Sequence, residues 1–65
     1  MDTHKVASYL LREIDKLKEA QHTHLSGGGA KSFDEYRHVC GVIRGLTHAE
    51  TIVKDLVQRM EQSDE

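Results

Sequence analysis

From Ser32 onward the chain keeps one hydrophobic rhythm almost to its end. Tyr36, Val39, Ile43, Leu46, Val53, Val57 and Met60 recur at steps that place them on one helical face, which predicts a helix over about residues 33–61. Glu50 interrupts the series, and Ala49 beside it closes the gap. Ser32 and Glu35 have the spacing of a capping box: the hydroxyl accepts the Glu35 amide while the carboxylate reaches back to the Ser32 amide. Asp34 adds negative charge in the first turn, where unpaired amides point outward.

The first part of the chain repeats the pattern in weaker form. Val6, Tyr9 or Leu10, Ile14, Leu17 and Gln21 form a stripe widened by Ala7 and Leu11, and Glu13, Asp15, Lys16, Lys18 and Glu19 fill the other side. This predicts a helix over about residues 3–25, with Asp2 or Thr3 as its N-cap. Between the two, Ser26-Gly27-Gly28-Gly29-Ala30-Lys31 breaks the periodicity, because consecutive glycines lose too much backbone entropy to stay helical. A connection this short makes the helices antiparallel neighbours. The expected fold is all-α: a single domain, residues 1–65, forming an antiparallel two-helix hairpin.

Two features argue that the hairpin does not stand alone. Val42, Ala49, Ile52 and Leu56 form a second apolar stripe on the second helix, and one partner helix covers only one side. The second helix is also longer, about 29 residues against about 22 at roughly 1.5 Å each, so its C-terminal part is expected to overhang. A chain of 65 residues is marginal without metal, disulfides or oligomerisation. A dimer forming a four-helix bundle, or a higher oligomer, follows as the expectation. The assembly surface reads as Tyr9, Tyr36, Gly41, Val42, Gly45, Leu46, Ala49, Ile52, Val53 and Leu56.

Charge and cysteine content narrow the setting. The net charge is −2, and no basic tract is dense enough to track a phosphate backbone. Only an oligomer could gather Arg37, Arg44 and Arg59 into a polar interaction face, which leaves nucleic acid as a weak alternative partner. Cys40 is the one cysteine, so no disulfide forms within the chain. Neither a membrane-length apolar run nor a signal-peptide pattern is present, and a reducing, intracellular setting is the expectation.

Candidate chemistry is sparse. Gly41 and Gly45 lie one turn apart, which points to close approach of a neighbouring backbone, with Tyr9 resting over the groove, or to a pocket that admits a ligand. Leucine at either glycine should therefore disturb assembly more than alanine at Glu50. Gly27-Gly28-Gly29-Ala30-Lys31-Ser32 superficially resembles a phosphate loop, but it lacks the glycine before lysine and follows a helix. Five histidines, among them His22, His24, His38 and His48, show no metal-ligand spacing. No nucleophile–base set or carboxylate pair can be placed, so neither enzyme activity nor a cofactor is expected.

Phe33-Asp34-Glu35-Tyr36-Arg37, then Cys40-Gly41-Val42-Ile43-Arg44-Gly45-Leu46, then Ala49, Ile52, Leu56 and Arg59 resemble a group of short helical-hairpin proteins encoded by tailed bacteriophages. The likeness covers residues 33–60, with Tyr36, Arg37, Gly41, Gly45 and Leu46 matching a Y-R-x-x-x-G-x-x-x-G-L helix. It implies a virion or assembly component acting through protein–protein contacts, or a host-directed inhibitor that binds and blocks a host protein. Virion docking predicts that another chain covers Val42, Ile52 and Leu56. A free inhibitor predicts that self-association closes that stripe and leaves the polar face for the target.

Overall fold

The computed structural model describes residues 2–63 as two antiparallel helices, α1 (Thr3–Ser26) and α2 (Phe33–Ser63). Together they make a rod 51 Å long and 16 by 14 Å across. Asp2 caps α1, its carboxylate accepting from the His4 amide at 2.9 Å. At the other end Gly28 adopts φ 78°, a left-handed conformation that costs glycine little. The amides of Gly27, Gly28 and Gly29 donate back to the carbonyls of Thr23, Leu25 and His24, so three of the last four carbonyls of the helix are satisfied.

At the start of α2 the Ser32 hydroxyl accepts from the Glu35 amide at 3.1 Å. The reciprocal arm differs from the expected capping box: Glu35 reaches one residue further back and accepts from the Lys31 amide at 2.8 Å. Within α2, the Thr47 and Thr51 hydroxyls donate to the carbonyls one turn earlier, which settles two polar side chains against the helix itself.

The seam between the helices has alternating steps of four and three residues. On α1 it consists of Ala7, Leu11, Ile14, Lys18, Gln21 and Leu25, and on α2 of Val39, Ile43, Leu46, Glu50, Val53, Val57 and Met60. This is an a/d repeat, with a at Leu11, Lys18 and Leu25 and at Ile43, Glu50 and Val57. Among the described residues only Ala7 and Val39 are buried, and neither completely. The α1 face is rotated from the expected one: Val6, Tyr9, Leu10 and Leu17 remain exposed, and Lys18 lies inside the seam. Tyr36, read as part of the α2 seam, is half exposed.

Glu50 is therefore a seam residue and not a gap in one. Its carboxylate lies 3.6 Å from Lys18 Nζ and 3.7 Å from Lys54 Nζ, and the Lys18 and Glu50 side chains are only 18% and 20% exposed. An ion pair across the seam helps fix register, because a slip takes Lys18 away from Glu50 and strands its charge among aliphatic side chains. His4, 3.9 Å from Glu61, marks the same register near the chain ends. With the start of α1 held beside Glu61, the surplus length of α2 falls at the loop end, where Phe33 is 72% exposed. The expected overhang at the C-terminus is not there.

Two stability measurements follow. Lys18→Ala should cost about 1–3 kcal/mol by leaving Glu50 half-buried with Lys54 alone, whereas Lys18→Met with Glu50→Leu should be neutral or stabilising in thermal melts. A double variant less stable than either single change would show that the pair holds the hairpin by energy and not by register. Gly28→Ala should cost about 1 kcal/mol in the same assay, because alanine resists φ 78°.

Candidate interaction surfaces

In an antiparallel pair the e positions of both helices share one flank of the seam and the g positions share the other. Two crevices fix this assignment. Ser8 and Lys54, both e, line a crevice with Leu11 and Val57. His24 and Glu35, both g, line another with Asp34, His38 and Val39. Each flank has its own character.

The g flank is polar at its loop end, where His24, Glu35 and His38 lie, and mainly apolar along the rest of the rod, with Glu13 and Arg59 at its rim. Val6, Leu10 and Leu17 from α1 stand on the same side as Val42, Ala49, Ile52 and Leu56 from α2. Ile52 is 68% exposed and Leu56 53%. The expected second stripe is thus half of a broader surface, and α1 supplies the other half. Leu46 and Val53, expected on the assembly surface, belong to the seam.

The opposite flank carries Lys5, Arg12, Asp15, Glu19, Arg37, Arg44 and Thr51 and is polar along its length. Near the loop it holds a groove of about 350 Å³ lined by Phe33, Tyr36, Arg37, Cys40, Gly41 and Arg44. The Phe33 and Tyr36 rings stack with centroids 6.4 Å apart, and the Arg37 guanidinium lies 6.0 Å from the Phe33 centroid. The Cys40 thiol shifts the Tyr36 phenol upward from its ordinary value, through a hydrogen bond and through charge repulsion.

The structure sorts the expected site residues differently from their sequence grouping. Tyr36 and Gly41 sit with Arg37 and Arg44 in the groove, while Val42, Gly45, Ala49, Ile52 and Leu56 go to the apolar flank. Arg59 does not join the other arginines: it falls on the g flank and pairs with Asp55 at 3.0 Å, roughly 20 Å along the helix from Arg44. Tyr9 projects into solvent and does not rest over the glycines. A Cβ built at Gly41 or Gly45 would meet nothing within 4 Å, so α1 makes no close approach to either. Because Glu50 belongs to the seam, its replacement by alanine is not the neutral comparison that the sequence suggests.

The remaining candidates resolve simply. His24 and His38 come to one crevice with Asp34 and Glu35, a meeting that neither residue's sequence neighbours announce. Among the described residues, however, no group of three or more His, Cys, Asp or Glu is placed to hold a metal ion. The glycine run itself forms no phosphate cradle, since the Gly27, Gly28 and Gly29 amides are engaged by α1 carbonyls and the Lys31 amide by Glu35. No described helix is long and apolar enough to cross a membrane. Neither a family model, a curated protein nor a solved structure matches the chain.

Because both helical glycines face open space, Gly41→Ala and Gly45→Ala should each stabilise an isolated hairpin by about 0.5–1 kcal/mol. Thermal melts read the change, and a loss of stability at either position would mark a chain packed against it.

Proposed function

We propose that the protein is a non-enzymatic assembly component that works through protein–protein contacts, with its apolar g flank joined to a second copy in a four-helix bundle or a higher oligomer. The observation that carries this reading is the placement of Leu10, Leu17, Ile52 and Leu56 on one flank, all exposed. With Val6 they leave one apolar patch, drawn from both helices, in water on each chain. A seam with two buried residues also leaves the single hairpin short of core. Both helices contribute to the patch, so a two-fold axis can bring like to like.

The resemblance of residues 33–60 to short tailed-phage proteins supports a role within or during assembly of a virion. One observation favours a second reading, a host-directed inhibitor: the Arg37–Arg44 groove lies on the flank away from the stripe, so self-association leaves it facing outward.

Sedimentation velocity at micromolar concentration tests the self-association. The wild type should sediment as a dimer or larger, and Ile52→Glu with Leu56→Asp should be monomeric and lose most helical circular dichroism. A folded monomeric wild type would refute the reading.

A further inference from the structure

Arg37, Gly41 and Arg44 recur at i, i+4 and i+7, which places two guanidiniums and a gap between them on one face of α2, over roughly 10 Å. Among the described residues neither arginine has an anionic partner: Arg37 rests on the Phe33 ring, and no ion pair reaches Arg44. Every other feature of the groove leaves room for something from outside. Nothing stands within 4 Å of where a Gly41 Cβ would be, and Phe33 and Tyr36 form an exposed aromatic shelf at one end, with Cys40 beside them. Aromatic and arginine side chains around a dent are the groups that anchor protein interfaces.

We infer that this groove takes an acidic helix of another protein, two of whose carboxylates, seven residues apart, meet Arg37 and Arg44 while an aliphatic side chain between them enters the dent at Gly41. Carboxylates at that spacing repeat the spacing of the guanidiniums, and each can receive paired N–H donors. A side chain midway between them, three or four residues from either acid, falls opposite Gly41 when helices pack side by side. The partner is not a second copy. No two acids within either helix of this chain stand seven residues apart, so its own helices lack the complementary pattern. Nucleic acid fits less well, because two unpaired arginines beside Asp34 and Glu35, on a chain of net charge −2, release few counterions. The site lies on the flank away from the assembly stripe and stands whether or not the chain self-associates.

Fluorescence anisotropy at low salt with the full chain tests this against three probes: a labelled helical peptide with two glutamates seven residues apart and a leucine midway, its twin with glutamines, and a short oligothymidylate. The glutamate peptide should saturate at roughly 100 µM or below, a weak-contact range for so small a surface. It should bind about tenfold more weakly to Arg37→Gln/Arg44→Gln and to Gly41→Leu, and more weakly as salt rises. Circular dichroism of the exposed arginine double variant should match the wild type, which keeps the test valid if Gly41→Leu fails to fold. Equal binding of the glutamine twin, tighter binding of the oligothymidylate, or no saturation by any probe would overturn the inference.

Discussion

Lys18 and Glu50 meet in the middle of the seam between the two helices, and the position of everything else along the rod follows from that meeting. Aliphatic side chains alone tolerate a helix sliding by a turn, since one leucine or valine packs against another with little preference. A charge pair across the seam does not, because a slip leaves Lys18 without its counter-charge in a half-dry groove. Lys54 adds a second cation to the same carboxylate, so the glutamate is held from its own helix as well as from the opposing one. With register fixed, α1 starts beside Glu61 and ends short of the first turn of α2. The exposed shelf of Phe33 and Tyr36 is the direct result.

The two helices and the break between them were legible because their signals are local. Three consecutive glycines, a Ser-x-x-Glu cap and a three-four repeat each act within a turn or two of chain. The face that α1 turns inward was not legible for a physical reason. Val6, Leu10 and Leu17 are as hydrophobic as Leu11 and Ile14, so two overlapping stripes compete and hydrophobicity does not rank them. What settles the matter is a residue that points the wrong way by its chemistry: Lys18 belongs to the seam only because Glu50 faces it, and that complementarity spans thirty-two residues. The clue was present as the one charged interruption in the second helix's apolar series, answered by a lysine at a possible a position in the first. The overhang was misplaced for the same reason, since helix lengths give its size but only register gives its end.

The site residues divide along similar lines. Arg37 and Arg44 share a face by simple helical spacing, whereas Arg59 shares their charge but spends it on Asp55. Tyr36 and Gly41 fit an apolar series on paper and turn out to line a mixed groove beyond the reach of α1. The hairpin thus has three distinct sides: a seam that satisfies itself, a greasy flank fed by both helices, and a charged flank with one aromatic corner.

The glycine run between the helices has a consequence that its composition conceals. A flexible tether would let the helices scissor, but all three glycine amides are engaged by the end of α1, and the His24 imidazole lies where a Gly29 side chain would have to go. The corner is tied back to α1 at each of the three glycines. A partner on one flank would therefore stand back to back with a partner on the other, separated by the thickness of a single hairpin.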